Sequence, residues 1–152
     1  MLAIALTFAM TFATLAAPHG NAKHAKLTSV ESRVEATKLA TEDPGSVLRA
    51  DLERELGNID WKQEGVKAPF ELSAVLTSAE SASGKKRTTA WCVVQVVLRE
   101  PNGALLGTVS GRASGEDAKG GRKALELDVL EAAAKTASSA IPEAIRQARK
   151  AR

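Results

Sequence analysis

The chain has 152 residues with 21 Lys and Arg against 18 Asp and Glu, and the two signs are interspersed, so its net charge of +3 does not imply a nucleic-acid partner. Of its three Phe and two Trp, Phe8 and Phe12 lie near the start, leaving Trp61, Phe70 and Trp91 for the fold, too few for a base-stacking platform. A single cysteine, Cys92, excludes an intramolecular disulfide and a cysteine-based zinc cluster, and His19 and His24 both precede the first expected element, which argues against a histidine triad or an imidazole-bound metal.

Leu2 to Ala17 is an unbroken run of apolar and small residues in which Thr7, Thr11 and Thr14 are the only polar members. It falls short of the ~20 residues a membrane-spanning helix needs and has the length of a signal-peptide core. Cleavage is expected after Ala16 or Ala22, so that residues 1–22 form the signal peptide and 23–152 a single α+β domain. The leader departs from pattern in having no Lys or Arg ahead of its apolar run, and with no cysteine following, a lipoprotein anchor is not expected. About 130 residues can bury roughly two thirds of their unfolded surface without a disulfide or metal. The expected location is periplasmic or secreted, with no transmembrane segment once the leader is removed.

Leu27 to Ala40 is ambiguous. Leu27, Val30 and Val34 fit a helical stripe, whereas Thr28, Val30, Ser32, Val34 and Ala36 fit one face of a half-exposed strand, and the Val, Thr and Ser content tips the reading to strand. Glu42-Asp43-Pro44-Gly45 is a turn. Ser46 then stands where an N-cap belongs, ahead of Val47, Leu48, Leu52 and Leu56; Gly57 is expected to end that helix, and Asp51, Glu53, Arg54 and Glu55 to lie on its wet side. Asn58 to Pro69 reads as a connecting loop containing Trp61.

Three consecutive antiparallel strands follow. Phe70, Leu72, Ala74 and Leu76 alternate with Glu71, Ser73, Val75 and Thr77, a one-sided pattern, and Ser81 to Arg87 is a polar hairpin loop. Thr88 to Arg99 has one wholly apolar face in Ala90, Cys92, Val94, Val96 and Leu98, yet its other face carries Trp91, Val93 and Val97 beside Gln95, as suits a central strand. Pro101-Asn102-Gly103 is a tight reversal. In the third strand Gly107 and Gly111 share a face with Leu105, Val109 and Ala113, which suggests room for a helix to approach closely. After the glycine-rich connection Gly115 to Gly121, Leu127, Leu130, Ala134, Ala137, Ile141, Ile145 and Ala148 form the most regular apolar stripe in the chain. Pro142 inside it predicts a kink, or a break capped by Ser138 or Ser139.

The expected fold is therefore α+β: a small antiparallel sheet of three clear strands, with a possible fourth, and a long C-terminal amphipathic helix and a shorter helix packed on one face. Its element order resembles that of small periplasmic domains such as the N-terminal domain of TolB, a likeness of shape that no motif carries.

Catalytic signatures are weak. Ser83-Gly84-Lys85-Lys86 has the Ser-x-x-Lys spelling of penicillin-recognising enzymes but lies in a hairpin without companion motifs. Glu126, Asp128 and Glu131 read as solvated helix surface with Lys135 nearby, and Cys92 as a small buried hydrophobe. Two surfaces remain. Trp91, Val93, Val97 and Leu106 would form an apolar patch if both helices pack on the opposite face, and such a patch marks a binding surface for a protein partner or a second copy; the N-terminal segment or the Trp61 loop could instead cover it. Lys85, Lys86 and Arg87 with Arg146, Arg149, Lys150 and Arg152 could meet anionic lipid, although solubility and the helix dipole also explain them. The expected function is a non-enzymatic exported binding or assembly protein of the bacterial envelope with no cofactor or metal; the alternative is an envelope lipid-binding module using the same face and the basic clusters.

Overall fold

The structure is a computed structural model that describes residues 24–66, 69–118 and 121–152. The expected signal peptide and both its cleavage points lie outside the described residues. Six elements follow in order: β1 (Ala25–Ser32), α1 (Pro44–Asn58), β2 (Phe70–Ser83), β3 (Thr88–Arg99), β4 (Leu105–Asp117) and α2 (Arg122–Lys150). The strands make one sheet in the order β1-β2-β3-β4. The two hairpins β2-β3 and β3-β4 are antiparallel, as their sequences predict, and β1 pairs with β2 in parallel, joined to it through α1.

The fourth strand is real and its ambiguous pattern has a cause. Leu27 pairs with Leu72 and Ser29 with Ser73, leaving Thr28 as an extra residue whose hydroxyl donates to the Leu72 carbonyl at 2.8 Å. This bulge shifts the side-chain alternation, so Leu27 and Val30 both pack against the core at a spacing of three, which imitates a helix. His24 belongs to the fold too, because its carbonyl accepts the Phe70 N–H at 2.8 Å.

In α1 the cap is Asp43, not Ser46. The Asp43 side chain accepts from the Ser46 N–H at 3.0 Å and from the Ser46 hydroxyl at 2.6 Å, while Pro44 takes the first helical position, where a missing N–H costs nothing. Leu48, Leu52 and Leu56 face the core; Asp51 is buried as well, beside Arg54 at 3.1 Å, rather than lying on the wet side. The helix runs one residue past Gly57, which does not take the left-handed conformation of a glycine cap. Beyond it Trp61 turns inward, 1% exposed, and meets Phe70 edge-to-face at 5.0 Å.

The sheet's core side is sealed by α2. With about 1.5 Å per helical residue and about 3.3 Å per strand residue, the 29 residues of α2 and the 13 of β4 each span roughly 43 Å, so the helix folds back along the whole strand. Gly111 makes this possible: a Cβ there would stand 2.0 Å from the Ala133 carbonyl oxygen. Gly115 makes room for side chains instead, since a Cβ there would stand 2.9 Å from a Leu125 methyl and 3.2 Å from a Val129 methyl, whereas Gly107, expected to admit the helix, has open space around it. α2 continues through Pro142 without a break; Pro142 is buried, and neither serine caps a second segment, since Ser138 is buried and the Ser139 hydroxyl donates to the Thr136 carbonyl at 2.9 Å. Leu127, 37% exposed, is not in the buried stripe, which starts at Leu125 and Glu126.

Candidate functional site

Alternation along β3 divides the sheet. Ala90, Cys92, Val94, Val96 and Leu98 are all buried under α2. On the opposite face Trp91 is 40% exposed and Val93 and Val97 are half-buried. Their neighbours across the ladders are polar or charged. Val93 stands between Ser78 and Arg112, Val97 between Ser73 and Thr108, and Trp91 between Glu80 and Ser114. The face is an apolar ridge along β3 flanked by hydroxyls and charges, and among the described residues no helix or loop lies over it. The Trp61 loop does not cover it, because Trp61 packs on Phe70 in the core.

Leu106 is not part of this face. Leu98 pairs with Gly107 but Arg99 with Leu105, so Leu106 is the extra residue of a bulge and drops into the core at 7% exposure. The bulge sends Leu105 the other way, 57% exposed and paired with Arg99. A simple period of two cannot anticipate that exchange.

At the hairpin end of the ridge, Thr89, Ala90, Trp91, Ser114, Gly115 and Glu116 line an open depression of about 390 Å³. One indole, two hydroxyls and one carboxylate converge there, and Glu116 reaches Arg87 at 2.9 Å.

The basic residues do not form one surface. Lys85, Lys86 and Arg87 sit in the β2-β3 turn, closed by the Gly84 N–H donating to the Arg87 carbonyl at 2.8 Å. Arg146, Arg149, Lys150 and Arg152 lie at the far end of α2, where the Arg152 guanidinium donates to the Leu105 carbonyl at 3.2 Å. Most are engaged within the chain: Arg87 with Glu116, Arg146 with Glu64 and Glu143, Arg149 and Arg152 with Glu100.

Reading the helix as solvated surface misplaces Glu126. It is 2% exposed and its carboxylate accepts the Ala40 N–H at 2.7 Å, the Thr41 N–H at 2.8 Å, the Thr41 hydroxyl at 2.7 Å and the Ser81 hydroxyl, with Arg122 at 3.4 Å. Arg122 also donates to the Lys38 carbonyl at 3.0 Å. The acid thus ties α2, β2 and the 33–43 loop together. Burial works to raise its pKa, but the hydrogen bonds from Ala40, Ser81 and Thr41 outweigh burial and hold it below the ordinary glutamate value. The available signal was phase, because Glu126 precedes Leu130 by four, in step with the buried stripe. Burial pushes the Cys92 thiol up to about 11, which leaves it an un-ionised, unreactive group, and its Sγ–H points to the Val129 carbonyl at 3.5 Å.

Among the described residues no helix is long and apolar enough to cross a membrane, and no three metal-ligating side chains gather. No protein-family model matches the chain, and no curated protein matches it in sequence. Its fold is similar to that of solved structures. A candidate lipoprotein from Caulobacter crescentus CB15 aligns with a TM-score of 0.50 at 17% identity over 84% of this chain and 92% of that one. A protein from Xanthomonas campestris of family DUF330 aligns with a TM-score of 0.54 at 9% identity over 84% and 87%. At such identities the likeness is one of fold: the four-stranded sheet with its long C-terminal helix is an architecture this chain shares with them.

Proposed function

We propose that this chain is an exported, non-enzymatic binding and assembly protein of the bacterial envelope, and that it associates through the open sheet face around Trp91 with a second copy of itself. The observation that carries the reading is the uncovered apolar ridge: Trp91, Val93 and Val97 stand on the side of β3 that α1, α2 and the Trp61 loop all leave free. A second sheet laid on this ridge would complete a sandwich about 10 Å thick between sheets, and a two-fold pair buries the same patch on both partners. The apolar leader and the fold shared with a candidate lipoprotein support an envelope location. The non-enzymatic reading is supported by two buried groups that could otherwise carry chemistry, since Cys92 is un-ionised and Glu126 is saturated with donors.

Light scattering after size exclusion tests this on the mature chain and Val93→Glu. A dimer that the substitution converts to a folded monomer is the expected result. A wild-type monomer at every concentration would sink self-association, and flotation with anionic liposomes would then show whether the ridge takes lipid instead. Marked loss of thermal stability in Val93→Glu would mean that the ridge belongs to the core.

A further inference from the structure

Within the reading of the ridge as a self-association surface, on which this inference rests, the geometry points to one specific contact: Arg112 of each copy seats in the depression between Trp91 and Glu116 of the other. The depression suits a guanidinium. An indole face attracts a cation through its quadrupole, a carboxylate supplies the counter-charge, and the lining residues Thr89 and Ser114 carry hydroxyl acceptors. Glu116 is already bridged to Arg87, but both side chains are more than half exposed, so that pair is weak and its carboxylate can serve a second donor.

Arg112 is the matching group on the same face. It is exposed, lies directly across from Val93, and its guanidinium has no ion pair or hydrogen bond among the described residues. Ser114, which lines the depression, pairs with Trp91, and Thr89 pairs with Glu116, so along β4 the order is Arg112, Ser114, Glu116 in successive rows of the open face. These rows are about 7 Å apart. A two-fold axis lying across the strands between the Trp91–Ser114 row and the Val93–Arg112 row superposes each row on the other copy's neighbouring row. It brings Val93 of one copy onto Trp91 of the second and Arg112 onto Ser114, between the indole and the Glu116 carboxylate. The exchange is reciprocal, giving two identical contacts per pair, and the separation of about 10 Å between packed sheets is one that an arginine and a tryptophan reaching toward each other fill.

The experiment measures dimer dissociation by sedimentation equilibrium for the wild type, Arg112→Glu, Glu116→Arg and the double exchange, each checked for an unchanged melting temperature. Each single variant is expected to weaken the dimer at least tenfold by setting like charges opposite, and the double exchange to restore it to within about threefold, which a misfolded protein would not do. Undiminished association in Arg112→Glu, with Val93→Glu still dissociating the pair, would overturn this contact and leave the ridge as the interface. Failure of the double exchange to recover affinity would also overturn it. A wild-type chain that never dimerises would overturn both the contact and the reading beneath it.

Discussion

Trp91 and Cys92 are consecutive residues of one strand, yet Cys92 is 1% exposed beneath Val129 and Trp91 is 40% exposed with no described residue above it. Both faces of β3 hold apolar residues, so the presence of an apolar face does not by itself mark the side that a helix covers. What selects it is the neighbouring strand. On the core side β4 presents Val109, Gly111 and Gly115, a surface low enough for helix backbone to lie on, whereas its other side raises Arg112, Ser114 and Glu116. Close approach on one face leaves the other to be satisfied by solvent or by another molecule.

Adjacent substitutions sharpen this contrast. Val94→Glu places an unpaired carboxylate at a fully buried position, and no cooperatively folded protein is expected by circular dichroism. Gly111→Ala comes next, because the clash is with helix backbone that no rotamer change can relieve; a loss of about 3 kcal/mol or more is expected from urea unfolding. Equal loss in Gly107→Ala would break the argument, since that glycine has nothing near it.

Replacing Glu126 by alanine strands the N–H groups and hydroxyls gathered on it and should cost about 3 kcal/mol. Because the folded pKa of Glu126 is lowered, its contribution is complete above the ordinary glutamate value and disappears as pH falls through the lowered one. Wild-type melting temperature should therefore drop more steeply on acidification below about pH 4 than that of Glu126→Gln, and parallel profiles would show that the carboxylate is not the acid-sensitive tie. The smallest effects belong to positions with free space around them: Val93→Glu on the open face and Gly107→Ala on the core side of β4 should each change monomer stability by less than about 1 kcal/mol, with the former acting on association.

Much of the architecture is legible from local pattern. Thr88 to Arg99 reads as a strand greasy on both sides and is one, and Pro101-Asn102-Gly103 turns as expected, with Gly103 at φ +87° and its N–H donating to the Glu100 carbonyl at 2.8 Å. Within the sheet, strand patterns mislead where alternation is interrupted. A bulge exchanges Leu105 for Leu106 on the open face, and another gives β1 its helix-like spacing. A bulge depends on how two distant segments register, so a single strand's pattern does not carry it.

Composition and periodicity by themselves determined the class of fold, the three antiparallel strands, the long final helix and the presence of two apolar faces on β3, because each follows from residues within one hydrogen-bonded period of one another. Only the tertiary structure decided that Gly111 rather than Gly107 admits the helix, that Glu126 is a buried tie, that Arg87 and Arg146 are spent on internal ion pairs at opposite ends, and that the Trp91 face stays open. Each of these depends on which residues from remote parts of the chain are brought within a few ångströms, and contact at that range is a property of packing.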